Sequence, residues 1–374
     1  MINFDNAATG GFKPSSVTDA VNSVIKYLSA NPGRSSHRLA LTGLEIVFGT
    51  RKIISELFNA DPNRVIFTKN CTEALSTAIF GTIKPGAHVV TTVYEHNSVL
   101  RPLFYLKEKG IISLDVLAPK SLDLLPELIT QNIRKDTTHL IINAVSNVTG
   151  DVLPFEKIGK IAKDNGLIYI LDGAQAGGHV HIDVKESNVS ALALAGHKGL
   201  YGIMGTGVLI VGDGVEVSPL IMGGTGTESF SLSQPTTYPE RLESGTLNLP
   251  AIAGLLEGVR YVKNNLTNFS VVLTDMTRTL ISELNAMPNI TCYSKPNPAG
   301  IVSFDVKNVS SIEVGERLNK EFDVAVRSGV HCAPLLHKHL KTMDQGLTRV
   351  SFSVQNSVKE LRYLVKCIRQ CWGD

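Results

Sequence analysis

Short apolar, β-branched runs alternate with amphipathic stretches through the first two thirds of the chain, and no other feature restricts its fold as strongly. Val65-Ile66-Phe67 precedes Glu73–Phe80, and His88-Val89-Val90-Thr91 precedes Ser98–Lys109. His139–Asn143 precedes Phe155–Asn165, after which come Leu167–Leu171, Ala191–Leu194 and Gly207–Val211. Strands that are apolar along their whole length leave no face for water. They predict a mostly parallel sheet covered by helices on both sides. Beyond Pro250 the texture changes. Ala251–Asn264 and Val271–Ala286 read as two long helices, the first with Pro250 suited to a helix start. Strand candidates at Gly300–Asp305, Val324–Arg327 and Thr348–Ser353 then alternate with helices at Ser311–Phe322 and Val358–Gln370. A length of 374 residues suits two domains. The expectation is an α/β protein with a large domain over residues 15–250. A smaller α+β domain would span 251–374 and include residues 1–14.

Charge excludes several partners. Lys+Arg number 36 and Asp+Glu 34, a net of +2 without long runs of either sign, which argues against a nucleic-acid surface. No apolar run approaches the roughly 20 residues of a membrane span, so no membrane is expected. Met1–Asp5 lacks the basic and apolar regions of a signal peptide. Five cysteines (Cys71, Cys292, Cys332, Cys367 and Cys371) form an odd, sparse set that fits reduced thiols in a cytoplasm.

In an open α/β sheet, ligands bind beyond the carboxyl ends of the strands, so the polar residues there matter most. Reading only those positions gives Thr68–Glu73, Glu95-His96-Asn97, Ser146-Asn147, Asp172-Gly173-Ala174-Gln175 and Gly196-His197-Lys198-Gly199. No GxGxxG follows the first strand, and no GxxxxGK[ST], HExxH or CxxC occurs. A lysine at one strand end with a carboxylate at another suggests a carbonyl cofactor held as a Schiff base. Pyridoxal phosphate needs a lysine amine, a carboxylate for its pyridine nitrogen, a flat partner for its ring and a helix N-terminus for its phosphate. Lys198, Asp172, His96 and Thr72 fit those roles. Taken singly, each has a plainer reading: Asp172-Gly173 as a turn, His96 as a satisfied core imidazole, Lys198 as a loop lysine, Thr72 in a helix cap. Their concurrence in chain order favours the cofactor.

At this point the sequence resembles the class V aminotransferase-fold enzymes, in the cysteine desulfurase branch, over nearly its whole length. The resemblance rests on Phe4–Thr9, Asn31–His37, Phe67–Ala74, Glu95-His96-Asn97 and Val145–Gly150. Asp172–Gln175, Gly196-His197-Lys198 and Val326–Ala333 are its most specific segments. It implies the fold of pyridoxal phosphate-dependent transferases of fold type I. It also implies Lys198 as the Schiff-base lysine, Asp172 on the pyridine nitrogen, His96 on the ring, and Gln175 and Asn147 near the phenolate oxygen. Thr72, His197 and the amides around Cys71 would hold the phosphate. Thr246, within Glu243–Asn248, would reach the neighbouring subunit's phosphate, which implies a homodimer. Arg349 would clamp the substrate carboxylate. Four positions depart from the family pattern: Ala195 and Cys71 each lack a common hydroxyl, Gly199 looks like one extra residue after the lysine, and Ala144 lies where many desulfurases have His.

Fold and cofactor leave the reaction open, since transaminases, lyases and desulfurases share them. Cys332 discriminates. Desulfuration needs an accessible thiolate with cationic neighbours, and Arg327 and His331 flank Cys332 in a Gly329-containing loop. The plainer reading is a small buried hydrophobe. Cys367 and Cys371 read as packing residues, and His331 with His337-Lys338-His339 as loop polarity, with no metal expected. The catalytic set is therefore Lys198, Cys332 and His96. The activity expected is conversion of L-cysteine to L-alanine with a persulfide on Cys332 and a sulfur-acceptor protein downstream. Selenocysteine lyase, or an aminotransferase or β-lyase that bypasses Cys332, are the alternatives. A catalytically silent binding protein of the same fold would not need both Lys198 and Asp172.

Overall fold

The computed structural model describes residues 1–373. The chain enters through a two-residue strand, β1 (Ile2–Asn3), followed by α1 (Ser15–Tyr27) and α2 (Arg38–Phe58). Strands and helices then alternate as β2 (Val65–Thr68), α3 (Cys71–Thr82), β3 (Ala87–Thr92), α4 (Asn97–Glu108), β4 (Ile112–Leu117) and α5 (Leu125–Asn132). β5 (Thr137–Asn143), α6 (Phe155–Asp164), β6 (Ile168–Asp172), β7 (Ala191–Ala195) and β8 (Gly207–Val211) complete a seven-stranded sheet in the order β2-β8-β7-β6-β5-β3-β4. Only β8 runs against the others. Alternate residues of one strand feed two different cores. Leu140 and Ile142 face a core shared with α2 and α6, and Ile141 faces one shared with α3 and α4.

The expected pair of helices after Pro250 is instead one helix, α7 (Leu249–Asn285), of 37 residues. Asn264-Asn265 and Thr267-Asn268 are weak helix formers, but nothing among them breaks the backbone ladder. Phe269 holds the middle in place by packing on Tyr201 and Tyr261 at centroid distances of 5.9 and 5.2 Å. Ile252 and Val259 pack into the core of the large sheet, whereas Leu273, Leu280 and Leu284 pack into that of the small one.

The small sheet contains β9 (Ile290–Cys292) and β10 (Ile301–Val306). Beyond α8 (Ser311–Phe322), the expected strand Val324–Arg327 is two pieces, β11 (Val324–Ala325) and β12 (Arg327–Gly329). β11 pairs in parallel with β1, and the chain then crosses to pair β12 antiparallel with β13 (Leu347–Ser351). α9 (Pro334–Leu340) lies between them, and α10 (Val358–Trp372) closes the fold with a Ser357–Glu360 capping box. No helix among the described residues is long and apolar enough to cross a membrane.

The segment after β1 joins the two sheets. Ser351 N–H donates to Phe4 O and Ala7 N–H to Ser351 Oγ, on the small sheet. A few residues later Gly10 N–H and Lys13 Nζ both donate to His197 O, on the large one.

Candidate active site

The carboxyl ends of β2, β3, β5, β6 and β7 open on one edge of the large sheet. Asn70 caps α3 there by accepting from Glu73 N–H, which leaves the free amides of Cys71 and Thr72 at a helix N-terminus. Beside them stand Asp172 at the end of β6 and Lys198 in the turn after β7, lining one pocket with Cys71, Thr72, His96 and His197.

Asp172 is buried, and its Oδ1 accepts from Ala174 N–H at 2.9 Å. Cys71 Sγ lies 3.6 Å from the same oxygen. Burial raises the Cys71 thiol well above its ordinary pKa, and Asp172 adds to that, so it remains an S–H donor. Cys71 is thus more than a helix-start amide. Its thiol touches the carboxylate, a contact that sequence reasoning missed. Burial lowers the Lys198 pKa from its ordinary value, with Cys71 and Asp172 opposing, so the amine loses its proton more readily than a surface lysine.

His96 is the N-cap of α4. Its Nδ1 accepts from Ser98 N–H at 3.0 Å, which places the ring proton on Nε2. Ser98 Oγ also reaches His96 Nδ1 (2.9 Å) and Thr72 Oγ1 (2.8 Å), so three polar side chains from two helix starts form one chain. Ser98 was missed in the sequence, although it directly follows the strand-end segment Glu95-His96-Asn97. His197 Nδ1 lies 3.1 Å from Thr9 Oγ1, and burial with the nearby Lys198 and Lys13 holds its pKa down to about 4. It is a neutral imidazole. Position 199 is restricted to glycine, because a Cβ there would sit 2.4 Å from Gly177 O.

Three amides at this edge each use one end and leave the other buried without a partner. Gln175 Nε2 donates to Ala7 O (2.9 Å), Asn147 Nδ2 to His331 O (2.7 Å) and Asn143 Nδ2 to Tyr94 O (2.8 Å). Gln175 Oε1, Asn147 Oδ1 and Asn143 Oδ1 have none. An unsatisfied buried polar group costs about 1–3 kcal/mol, so a pocket with three of them is built for a polar guest. With a carboxylate, a lysine of lowered pKa and the amide donors of a helix N-terminus alongside, this set of polar groups fits pyridoxal phosphate.

Cys332 lies in the turn between β12 and α9. His331 (φ +50°) and Cys332 (φ +57°) are consecutive left-handed residues, a strain of about 1–3 kcal/mol each. Asn97 N–H donates to Cys332 O at 2.8 Å, and the Asn147 amide holds His331 O. The turn is thus tied to the large-sheet segment next to His96. Arg327 Nη2 is 3.9 Å from Cys332 Sγ. His331 is not the cationic neighbour expected. Burial, with Arg349 nearby, pushes its pKa well down, and its ring stacks on His337 at 5.7 Å. Both imidazoles are buried, and His337 Nδ1 bonds Thr342 Oγ1 at 2.9 Å, so neither is loop polarity.

Arg349, on β13, is 1% exposed. Its Nη1 donates to Asn147 O and its Nη2 to Asp5 Oδ1, both at 2.9 Å. Thr246 is not brought to this pocket. It borders a separate cavity with Lys69 and Asn248, and its hydroxyl accepts from Asn31 Nδ2 at 3.3 Å.

The sequence pattern of the family described as "Aminotransferase class-V" matches residues 2–364. The chain belongs to that family. Its relatives in the family include a probable cysteine desulfurase of Pyrococcus abyssi, 33% identical over 99% of this chain and 95% of the relative. A cysteine desulfurase of Escherichia coli O7:K1 is 29% identical over 96% and 91%. Among solved structures, the apo cysteine desulfurase from Thermococcus onnurineus NA1 superposes with a TM-score of 0.91 at 31% identity, covering 99% of this chain and 94% of that one. These family members place the chain in fold type I, a mostly parallel α/β sheet with flanking helices.

Proposed function

We propose that the pocket around Lys198 holds pyridoxal 5'-phosphate and that the protein is a cysteine desulfurase, releasing L-alanine from L-cysteine with the sulfur left on Cys332. The observation that carries this reading is the Cys332 turn, strained and bonded through its backbone to Asn97, the neighbour of His96, which itself lines the lysine pocket. The names of the relatives point the same way.

When bound, the cofactor supplies a carbonyl for the substrate amine and a sink for the electrons of its α-carbon. The residues of the chain do the rest. Asp172 holds a proton at the pyridine nitrogen, while Cys71 S–H donates to the same carboxylate. Asn147 and Gln175 turn their unsatisfied amide ends toward the guest, and the amides of Cys71 and Thr72, with neutral His197, face the phosphate. His96 covers the ring, held flat by Ser98. Arg349 receives the substrate carboxylate, which orients the α-hydrogen. Lys198, with its lowered pKa, takes that proton as a neutral amine and returns it. The Cys332 thiolate then attacks the substrate sulfur. An S–S bond forms as the Cβ–S bond breaks, its electron pair goes to Cβ with a proton, and alanine leaves.

The same reading includes a two-domain division at residue 250, a cytoplasmic site of action and a sulfur-acceptor protein. It also includes a homodimer in which Thr246 serves the neighbouring subunit, which accounts for its distance from its own pocket. The test is product analysis with L-cysteine and a reducing thiol. Equal amounts of alanine and sulfide support the reading; pyruvate or a keto acid without alanine overturns it. A parallel assay with L-selenocysteine ranks the two chalcogens.

A further inference from the structure

Arg349 is the largest fully buried side chain among the described residues, and its charge is not balanced by its own sheet. The balancing carboxylate comes from the other end of the chain. Asp5 Oδ1 accepts from Nη2 at 2.9 Å, the single ion pair that Arg349 makes among the described residues. The two partners differ in exposure, 1% for the arginine and 30% for the aspartate, so water reaches Asp5 and not Arg349. Arg349 Nε is buried and has no hydrogen-bond partner. Its Nη1 is fixed by Asn147 O, and Asn147 lines the Lys198 pocket. The backbone of Asp5 is held independently of its carboxylate, through Ser351 N–H to Phe4 O, Ala7 N–H to Ser351 Oγ, and Asp5 N–H to Asn3 Oδ1.

We infer that Asp5 is an internal placeholder for the substrate's carboxylate, pairing with Arg349 while the site is empty and yielding that place to the carboxylate of an incoming amino acid. The inference rests on the reading of Arg349 as the substrate's anchor and adds a positioning residue to it. A buried guanidinium without a counter-charge is strongly destabilising, so an empty site needs a stand-in anion. A partly exposed carboxylate on a single hydrogen bond is the group that can leave, since it regains water as it goes. Asn147 O and the fixed backbone keep the guanidinium aimed while the exchange occurs, and Nε–H is the donor still free for a second oxygen of the guest. Asp5 therefore stabilises the unliganded protein and competes with the ligand. It also selects: an amine that lacks a carboxylate has nothing to offer Arg349 in exchange.

Asp5→Asn keeps the shape and an acceptor oxygen but removes the charge. In the holoenzyme, L-alanine titrated against the cofactor absorbance should bind about tenfold more tightly to Asp5→Asn than to the unaltered protein, from the loss of one like charge at a partly exposed site. Cysteamine, which has no carboxylate, should bind both equally. With L-cysteine, KM should fall more than kcat changes. Asp5→Ala should melt at a lower temperature than the unaltered protein. Acetate should raise that melting temperature but not the wild-type one, and the rescue should vanish when Arg349→Gln is added. Unchanged or weaker L-alanine binding by Asp5→Asn overturns the inference, as does a tightening of cysteamine binding equal to that of L-alanine, or failure of acetate to rescue Asp5→Ala. The melting arm needs no turnover. If the protein released no alanine from L-cysteine, the desulfurase reading would fail while the Asp5 exchange could still be read from melting and L-alanine binding.

Discussion

The wall of the site that carries Asp172, Gln175 and Lys198 comes from the strand ends of one parallel sheet. The wall that carries Cys332 and Arg349 comes from a strained turn and a buried arginine, neutralised by a residue more than 340 positions away. The first wall is an outcome of local topology. Each of its polar groups follows an apolar strand, and the pairing of β5, β6 and β7 in register brings them together. The second has no such guarantee. It holds its shape through long-range contacts: Asn97 N–H to Cys332 O, Asn147 Nδ2 to His331 O, and the Arg349 guanidinium to Asn147 O and Asp5 Oδ1. On the proposed reading, the sheet wall binds one group permanently, and the other wall handles groups that come and go.

That contrast breaks most visibly at Lys198. Lys198→Ala should remove both the visible absorbance of bound cofactor and turnover, with a loss of at least about 10³-fold because covalent binding and proton transfer fail together. Full activity in that variant would mean that the sheet wall has another purpose.

The next effect lies beneath the sheet wall. Glu95 is fully buried, accepts from Thr92 Oγ1 at 2.6 Å, and has Oε2 unpartnered. Burial raises its pKa to about 8, with Asp172 adding to the rise. A group whose pKa is raised on folding contributes stability that is complete below the unfolded value, about 4.5, and lost as pH climbs toward 8. Glu95→Gln resembles the neutral acid and escapes that loss. Denaturant melts from pH 5 to pH 8.5 should therefore diverge in favour of Glu95→Gln by on the order of a few kcal/mol. Parallel curves would mean that the carboxyl is ionised in the fold.

The smallest effect concerns Cys71. Removing its thiol in Cys71→Ala takes one weak donor from Asp172, worth about 0.5–1.5 kcal/mol, so turnover should change within about tenfold and the cofactor absorbance should shift slightly. A collapse of activity would make Cys71 a direct participant.

The sheet wall was legible because strand-end position is written locally: an apolar run, then Asp172 or Lys198. Even there, Ser98 and the Cys71–Asp172 contact escaped, since both depend on two strand ends meeting in space. Much less of the other wall could be read. His331 looked cationic beside Cys332, yet stacking on His337 needs α9 to fold back over the turn. Asp5 stood in a recognisable segment, but nothing in its neighbours announces Arg349. The single α7 was missed because Asn264–Asn268 is poor in helix formers, and the contacts that override it come from Tyr201, in the turn after Lys198.

Alanine release by Cys332→Ala compared with the unaltered protein tests the account most directly. The variant keeps Lys198, Asp172 and Arg349, so it should retain the cofactor absorbance and still change it on adding L-cysteine. It should also release alanine from L-cysteine at least about 10²-fold more slowly, since the nucleophile that takes the sulfur is gone. Undiminished alanine release from L-cysteine by Cys332→Ala would contradict it.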